Sequence, residues 1–352
     1  MLKQIRLGLI GCGVIGQVHL RLAPTIEGMV FAAVCDVREE AARAAAERFG
    51  VPQVYTDPDA LLSDPSIDAV VLALPANLRT ALGLRAFALG KHVLTEKPVA
   101  MNAAEVRSLI AAQGDLIGAC CSSRLRFLPS AQAITEFIAG GALGDLRVLR
   151  CRDVIAAGPP PVNPPPVWRL NKSLNGGGIL VNWGCYDLDY LFGITGWKLR
   201  PQRVLARTWT NIPDYAAYAA PGSDAETHVA AFVECADGAA LTYERGEFMP
   251  TQTDEAWQII GARGALRMNM KPQLGKQVTF DRPGPHGTVS ELIWQGDEDW
   301  DMQHRGPLAD FVAAVRDRRA PATSLQRALL LQEITDAIYA SASGAGCIEL
   351  SK

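Results

Sequence analysis

The first third of the chain alternates short apolar runs with segments of helical periodicity. Two segments between the runs predict helices, the alanine-rich REEAARAAAERFG and LRTALGLRAFALG. Strands alternating with helices predict βαβ units and a parallel sheet, and unbroken apolar runs are typical of strands covered on both faces. The predicted strands are IRLGLIG, VFAAVCD, DAVVLALP and HVLTEKP.

Farther along the chain the pattern changes to hairpins and, near the end, to helices. The run THVAAFVECADGAALTYERGEF alternates around Asp237-Gly238, which favours a hairpin turn, and EAWQIIGARGALRMNM turns at Gly264. The run DLRVLRCRDVI predicts a further strand, and residues 305–343 return to helical periodicity. This half of the chain therefore predicts an α+β domain with a mostly antiparallel sheet.

Two unusual stretches follow one another between these strands. The segment AGPPPVNPPPVW contains six prolines, which predicts an exposed or lid-like loop over 158–167. The segment NGGGILVNWGCYDLDY then runs three glycines into a mostly apolar predicted helix. Asn182, Tyr186 and Asp189 are spaced four and three residues apart, so they share one helical face. A largely buried helix thus carries one polar stripe.

Length and composition allow two globular domains and disfavour two classes of partner. The chain has 352 residues, more than one compact core usually holds, and the pattern divides it into domains over 1–120 and 121–352. Hydrophobic residues make up 49% and charged residues 20%, as in ordinary globular proteins. A formal charge of −3 without a Lys/Arg cluster argues against nucleic acid, and no apolar run approaches a membrane span.

Cysteine spacing and the N-terminal residues favour the reducing cytoplasm. The eight cysteines are scattered without a C-x-x-C pair, which disfavours a zinc knuckle and favours free buried thiols. We predict no metal site. The N-terminal MLKQIRLGLI has only a short apolar run before a glycine loop, so it predicts a first strand rather than a signal peptide.

The sequence GCGVIG follows the first predicted strand and begins a helical pattern. Gly11, Gly13 and Gly16 match G-x-G-x-x-G, a pattern that is weak alone and gains weight from this position. Gly11 would make the tight turn, Gly13 would let the backbone approach a pyrophosphate, and Gly16 would allow close helix packing. The N–H groups at the helix N-terminus would then bind the phosphates. The alternative is a glycine turn without a nucleotide.

Asp36 ends the second predicted strand, twenty residues after Gly16. A carboxylate at this position can accept hydrogen bonds from ribose hydroxyls, and it repels the 2′-phosphate of NADP. NAD is therefore the favoured cofactor. Arg38, two residues farther on, could bind that phosphate instead, so NADP stays an alternative. The structural alternative for Asp36 is a capping aspartate.

The fourth predicted strand ends at Glu96-Lys97-Pro98. Ligands bind beyond the carboxyl ends of parallel strands, so the ammonium group of Lys97 is expected in the cofactor crevice. Pro98 restricts Lys97 to extended geometry, and a cis Lys-Pro bond has a low base rate. The alternative is a surface lysine whose stem lies along apolar surface.

Together these segments resemble the glucose–fructose oxidoreductase / inositol dehydrogenase family (Gfo/Idh/MocA). The resemblance extends over nearly the whole chain in the same order. It implies a Rossmann domain followed by an α+β domain with an open-faced sheet that often mediates formation of homodimers or homotetramers. The matching segments are GCGVIG, LPANLR, GKHVLTEKPVA, RLRFLPSAQAITEFIAGGALGDL, WRLNKSLNGGG, NWGCYDLDY and the helical tail from DFVAAVRD to YASASGAG.

The resemblance also implies a set of active-site residues. Lys97 matches the lysine of the family's E-K-P motif, beside substrate and nicotinamide, and Asn182 and Tyr186 complete the implied catalytic set. Trp168 and Arg169 are expected at the pocket's edge, binding substrate together with these three residues. The implied cofactor contacts are Gly11, Cys12, Gly13, Val14, Ile15, Gly16, Asp36, Val37, Arg38, Leu74, Pro75, Asn77, Glu96 and Lys97.

Three residues depart from the family's usual pattern. Tyr186 stands where a histidine is usual, so a cation such as Lys97 or the oxidised nicotinamide must favour its phenolate form. Asn182 stands where an acid is usual, and it can orient substrate without sharing a proton. Arg79 in LPANLR stands where a histidine is common, and the sequence assigns it no role. In the structural alternative Asn182 buttresses a loop and Tyr186 packs with its hydroxyl on backbone.

The resemblance predicts an NAD-dependent oxidoreductase that acts on CH–OH groups. It would transfer a hydride between the nicotinamide and a secondary hydroxyl or carbonyl carbon of a sugar, sugar derivative or cyclitol. The same fold supports two alternatives, a non-catalytic nucleotide-sensing regulator and an NAD-dependent glycosidase. Substrate-dependent production of NADH would exclude the regulator, and net production of NADH would exclude the glycosidase. The sequence does not name the sugar, the carbon or the physiological direction.

Overall fold

A computed structural model describes residues 4–163, 166–212 and 214–350, which divide into two compact units. The first unit contains the chain up to Arg124 together with Asp301–Leu330. The second contains Leu125–Trp300 together with the chain after Leu330. The predicted domains, 1–120 and 121–352, did not place Asp301–Leu330 in the first unit.

A six-stranded parallel sheet forms the centre of the first unit. Its strands are β1 (Ile5–Ile10), β2 (Met29–Cys35), β3 (Gln53–Tyr55), β4 (Ala69–Leu72), β5 (His92–Thr95) and β6 (Gly118–Cys120). They lie in the order β3-β2-β1-β4-β5-β6, the doubly wound order whose ligand crevice opens beyond the carboxyl ends of β1 and β4. The helices between them are α1 (Val14–Leu22), α2 (Glu39–Phe49), α3 (Pro58–Ser63), α4 (Ala76–Ala88) and α5 (Ala103–Gln113).

The second unit contains a nine-stranded mixed sheet. Its strands are β7 (Leu146–Ala156), β8 (Pro201–Trp209), β9 (His228–Cys235), β10 (Ala240–Met249), β11 (Asp254–Gly261), β12 (Ala265–Met268), β13 (Lys276–Gly284), β14 (Gly287–Gly296) and β15 (Ile348–Glu349). The order is β14-β13-β12-β11-β7-β10-β9-β8-β15, antiparallel except for the β7–β10 pair, as predicted. The later helices of the chain are α6 (Pro129–Ala139), α7 (Lys172–Asn175), α8 (Cys185–Ile194), α9 (Trp300–Asp317) and α10 (Leu325–Ala340).

Both faces of the parallel sheet are covered, which explains the unbroken apolar runs. Consecutive residues of β4 point to opposite sides, so Val71 joins one buried cluster and Val70 joins the other. Phe311 of α9 packs into the first cluster, and Leu325 of α10 packs into the second. These contacts explain why Asp301–Leu330 belongs to the first unit, since its apolar side chains complete that core.

Helices pack on one face of the nine-stranded sheet. Phe137 of α6 contacts Phe280 of β13 with ring centroids 4.9 Å apart, and Tyr190 of α8 contacts Trp257 of β11 at 6.1 Å. The opposite face is open, as predicted, and three of its apolar side chains are about half exposed. They are Leu205, Trp209 and Phe232.

The proline-rich stretch forms neither helix nor strand over residues 157–163. Residues 164 and 165 of the predicted loop lie outside the described part of the chain. The stretch ends at a 3₁₀ helix, Val167–Leu170. Among the described residues, none of the helices has the length and hydropathy needed to cross a membrane.

Candidate active site

The glycine loop lies between β1 and α1, and two of its glycines are required by close packing. A Cβ at Gly11 would lie 2.3 Å from the carbonyl oxygen of Ala73, and the φ of Gly11 is +102°. A Cβ at Gly16 would lie 2.0 Å from the carbonyl oxygen of Gly11. Gly13 instead faces open space, because a Cβ there would meet nothing within 4 Å. The turn and helix-packing roles are confirmed, and Gly13 leaves room for a phosphate to approach the backbone.

Asp36 binds the glycine loop through its carboxylate. One oxygen accepts the Cys12 N–H at 3.0 Å, and the other accepts the Arg38 N–H at 3.0 Å. A carboxylate has about four acceptor positions, so Asp36 keeps capacity for ribose hydroxyls. The guanidinium of Arg38 lies 3.5 Å from the same carboxylate on a side chain that is 72% exposed.

The residues around this loop fit a dinucleotide. Val14 and Val37 are 88% and 83% exposed, an unusual state for apolar side chains that a bound cofactor would cover. Gly11 and Cys12 form the turn after β1, and Ile15 and Gly16 belong to the first turn of α1. The other predicted contacts follow β4 and β5 at the same edge of the sheet, where parallel strands end together; they are Leu74, Pro75, Asn77, Glu96 and Lys97.

Lys97 lies two residues after the end of β5, and the side chain of its neighbour Glu96 binds its main chain. Glu96 is 3% exposed, and one carboxylate oxygen accepts the Lys97 N–H at 3.2 Å. Its other oxygen binds the guanidinium of Arg124 and lies 2.9 Å from Nε2 of His19. Burial acts to raise the pKa of Glu96, but Arg124, His19 and Arg79 hold it well below its ordinary value. The carboxylate is therefore ionised and paired.

The same cluster contains a thiol, which raises the question of a metal. Ligand atoms of His19, Glu96 and Cys121 lie within 4.8 Å of one another. Burial raises the pKa of Cys121 well above its ordinary value, so the thiol stays protonated. Because Arg124 also binds the Glu96 carboxylate, the cluster is an ion-paired support for Lys97.

Arg79, whose role the sequence left open, is buried beside this segment. Its guanidinium donates to the carbonyl oxygen of Leu74 at 2.8 Å and to that of Glu96 at 2.9 Å. It also donates to the carbonyl oxygen of Pro98. The Lys97–Pro98 peptide bond is cis. Arg79 thus binds main-chain carbonyls on both sides of Lys97.

At each position of the GGG segment the structure disfavours a side chain, for a different reason. Gly176 ends α7 in the left-handed region, with φ +87°. A Cβ at Gly177 would lie 1.9 Å from the hydroxyl oxygen of Tyr339, and one at Gly178 would lie 1.9 Å from the carbonyl oxygen of Glu226. Gly176 therefore allows a sharp turn, and Gly177 and Gly178 allow other parts of the protein to approach the main chain closely.

Glu226 caps the helix that follows these glycines. Its carboxylate accepts the N–H of Gly178 at 2.9 Å and that of Leu180 at 3.1 Å, and Tyr339 donates its hydroxyl at 2.8 Å. The N–H groups of Gly178 and Leu180 lie at the start of this helix, where N–H groups have no partner within the helix. Burial raises the pKa of Glu226, and the donors offset this rise only in part.

The helix begins with a π-turn, Leu180–Gly184, before α8. Asn182 lies within this turn and is half-buried, whereas Tyr186 is 6% exposed. Tyr186 contacts the ring of Trp183 edge to face, with centroids 5.7 Å apart. π-turns are often found at functional sites, and sequence periodicity does not reveal them.

Asp189 does not belong to an accessible polar stripe. It is fully buried, and its carboxylate accepts a hydrogen bond from Arg126. The wider π-turn and the packing of α8 place it in the interior of the second unit. Asp187, which the sequence did not single out, is also fully buried and binds Arg245 through two hydrogen bonds of 2.5 and 2.7 Å. Neither residue carried a sequence signal that separates an interior ion pair from a substrate contact.

A cavity of about 460 Å³ lies in the second unit beside this helix. Arg169 lines this cavity and pairs with Glu247. Trp168 lies next to it on the same short 3₁₀ helix and is 40% exposed. Trp183 and Lys271 line the cavity as well, and neither was predicted.

Two family models match the chain. Residues 5–115 match the model described as an oxidoreductase family with an NAD-binding Rossmann fold, Gfo/Idh/MocA. Residues 131–267 match the model of the C-terminal domain of the same family. The two matches cover five of the six strands of the parallel sheet and most of the mixed sheet, in the predicted order.

Individual relatives show the same similarity. The chain is 32% identical over 194 residues to a myo-inositol 2-dehydrogenase of Thermotoga maritima, a match that covers 54% of this chain and 55% of the relative. It is 25% identical to a D-glucoside 3-dehydrogenase of Escherichia coli over 98% of this chain and 97% of the relative. A solved structure of levoglucosan dehydrogenase with NADH and levoglucosan has a TM-score of 0.87 at 21% identity, covering 99% of this chain and 100% of that one. This last match shows the fold alone.

Proposed function

Because the chain belongs to the Gfo/Idh/MocA oxidoreductase family, we propose that it is an NAD-dependent dehydrogenase of a sugar, sugar derivative or cyclitol. The observation that carries this proposal is Lys97 itself. It follows β5 at the edge of the sheet where the glycine loop follows β1, and a buried ion-paired cluster supports it. The inositol and glucoside dehydrogenases named among its relatives support the class of substrate.

NAD is the cofactor that the site residues favour. The glycine loop and the N-terminus of α1 would bind the pyrophosphate, and Asp36 would bind the ribose hydroxyls. When bound, NAD supplies the carbon that accepts a hydride from the substrate. Asp36 disfavours the extra phosphate of NADP, because a dianion would lie beside a carboxylate. Arg38 is the residue that would bind that phosphate in the NADP alternative.

Three side chains are proposed to act on the substrate. The ammonium group of Lys97 stabilises negative charge on the reacting oxygen, and Tyr186 takes the hydroxyl proton. Asn182 orients the substrate through its amide, since it has no proton to exchange at neutral pH. Asn182 is half-buried in the π-turn, and Tyr186 is nearly buried four residues later in α8.

The test is production of NADH with a panel of sugars and polyols. Native protein should reduce NAD with at least one compound, and Lys97→Met should lower kcat by about a hundredfold or more. Lys198→Met, at an exposed lysine, is the matched control and should leave kcat unchanged. Binding of NAD should persist in both variants, because the glycine loop carries the phosphates. Failure of every compound to reduce NAD would favour the regulator, and bound cofactor without net NADH would favour the glycosidase.

We further propose a homodimer or homotetramer formed through the open face of the nine-stranded sheet. Leu205 and Phe232 are paired neighbours on β8 and β9, and both are about half exposed. Apolar side chains grouped in this way favour a protein interface. Phe232→Arg should reduce the mass measured by light scattering to that of the monomer. Eight cysteines that are all free fit a reducing cytoplasm.

A further inference from the structure

Aromatic side chains surround the cavity beside the proposed substrate helix. Trp183, Tyr218 and Phe248 line it, and the rings of Tyr218 and Phe248 contact each other with centroids 5.2 Å apart. We call this cavity of about 460 Å³ the aromatic pocket. Trp183 connects it to the proposed reaction centre, because its ring also contacts Tyr186. A ligand that reacts at Tyr186 can therefore extend into the aromatic pocket.

The charged groups of the aromatic pocket are already paired. Arg169 binds Glu247, and Arg245 binds Asp187. Lys271 lies 2.6 Å from a carboxylate oxygen of Glu255 and 3.0 Å from one of Asp153; all three cations thus have carboxylate partners. An anionic substituent would compete with these carboxylates for each cation, so the pocket disfavours a phosphate or carboxylate on the ligand.

Glu247 lines the aromatic pocket and is 8% exposed, and one of its carboxylate oxygens binds Arg169. Its other oxygen is itself buried, so Glu247 contributes to the pocket as the partner of Arg169 rather than as an accessible charge.

We propose that the aromatic pocket binds an uncharged second sugar ring, so that the substrate is a glycoside or disaccharide oxidised on its other ring. This proposal rests on the dehydrogenase function. Aromatic faces pack on the C–H faces of a sugar ring, while a few polar groups fix its hydroxyls. A free cyclitol would leave the pocket empty, and a nucleotide sugar would bring unmatched negative charge into it.

The first test compares kcat/KM for NAD reduction with glucose, myo-inositol, maltose, cellobiose and UDP-glucose. At least one disaccharide should exceed both single-ring compounds by about tenfold, which corresponds to about 1.4 kcal/mol. A single-ring compound or UDP-glucose with the highest kcat/KM would overturn the pocket proposal and leave the dehydrogenase function intact. Reduction of NAD by none of the five would refute both.

The second test removes one side of the pocket. Tyr218→Ala should raise KM for the preferred disaccharide about tenfold while kcat/KM for glucose stays within about twofold. Tyr218→Phe keeps the ring and loses the hydrogen bond to the carbonyl oxygen of Gly158, so it should restore most of the affinity for the disaccharide that Tyr218→Ala loses. Equal losses for both substrates, or no loss with Tyr218→Ala, would show that the second ring does not bind there.

A separate observation concerns Arg79. It is 6% exposed and binds the carbonyl oxygens of Glu96 and Pro98, which flank Lys97, together with that of Leu74 after β4. We infer that Arg79 is a positioning residue that fixes the main chain on both sides of Lys97. A guanidinium suits this role because its fork of five donors reaches several carbonyls at once, whereas an ammonium cannot keep that geometry.

Chemical rescue tests this role apart from folding. Arg79→Ala should lower kcat by about tenfold or more with little change in the affinity for NAD, and Arg79→Lys should recover little. Millimolar guanidinium chloride should restore part of kcat to Arg79→Ala and none to Lys97→Met. Native kcat in Arg79→Ala, or a loss that guanidinium does not relieve while the melting temperature is native, would overturn the inference.

Discussion

Two buried glutamates lie beside residues that we propose to be catalytic, one glutamate in each unit, and they are stabilised in different ways. Glu96 lies beneath Lys97 and is surrounded by cationic groups, with Arg124 bound to its carboxylate. Glu226 lies at the start of the helix of Asn182 and Tyr186, and within the described part of the chain its carboxylate accepts hydrogen bonds from N–H and O–H groups alone. The pKa of Glu96 is held well below its ordinary value, whereas the pKa of Glu226 is raised.

The difference shows what each support needs. A buried charge is stable when an opposite charge compensates it, as around Glu96. At Glu226 the carboxylate completes a helix N-terminus, a task that a neutral acceptor can also perform. Removal of the charge should therefore lower the free energy of unfolding much more at Glu96 than at Glu226.

Glu96→Gln should have the largest effect on stability. It leaves the buried guanidinium of Arg124 without its carboxylate, and such a loss costs about 3–5 kcal/mol. Urea unfolding measures the free energy of unfolding, with Glu47→Gln at an exposed site as the control. A loss below about 1 kcal/mol would show that Arg124 does not depend on this charge.

Gly178→Ala should have the next largest effect. Its Cβ would lie 1.9 Å from the carbonyl oxygen of Glu226, so the cap and the π-turn must move apart. We expect the free energy of unfolding to fall by about 1–3 kcal/mol. We also expect a lower kcat, because Asn182 and Tyr186 lie in the helix that begins after this glycine. Gly158→Ala is the matched control, since a Cβ there meets nothing within 4 Å. Native stability in Gly178→Ala would contradict the close packing.

Glu226→Gln should have the smallest effect at neutral pH, about 1 kcal/mol in either direction. The amide oxygen still accepts N–H donors, and the variant avoids burial of a charge. Retained kcat would confirm that capping, rather than charge, is the function of Glu226. If Glu226→Gln lowered the free energy of unfolding as much as Glu96→Gln, the charge would matter equally at both glutamates, and the comparison would be wrong.

The pH dependence of stability sharpens the same comparison. The folded-state pKa of Glu96 is lowered, so its contribution is present above the unfolded value near 4.3 and is lost as pH falls through the folded value. The folded-state pKa of Glu226 is raised, so its contribution is present below about 4.3 and is lost as pH rises through the folded value. The stability of native protein relative to each Gln variant should therefore change with pH in opposite directions.

The sequence predicted much of the first unit because its signals are local. The glycine loop, Asp36 and Lys97 lie next to strand ends, and parallel strands end at one edge. It did not predict the return of Asp301–Leu330, since Phe311 and Leu325 are buried by contacts with distant strands. Strand and helix patterns depend on residues close together along the chain, so they do not show which distant strands a helix packs against.

Prediction was less complete for the second unit. The predicted polar stripe is wrong at Asp189, which is buried against Arg126, and the π-turn that contains Asn182 was not predicted. The cap from Glu226 joins residues more than forty positions apart, so no local motif could reveal it. The aromatic pocket likewise combines a loop, a helix and a strand. The catalytic roles of Lys97 and Tyr186 stay predictions.

The most direct measurement is the pH–rate profile of NAD reduction for native protein and for Tyr186→Phe. The variant removes one hydroxyl and keeps the ring against Trp183, so its stability should be nearly native. If Tyr186 accepts the substrate proton, kcat should fall by about 10²–10⁴-fold and the rise of activity with pH should disappear. Native kcat with the same rise would contradict the account, and proton transfer would then belong to Lys97 alone.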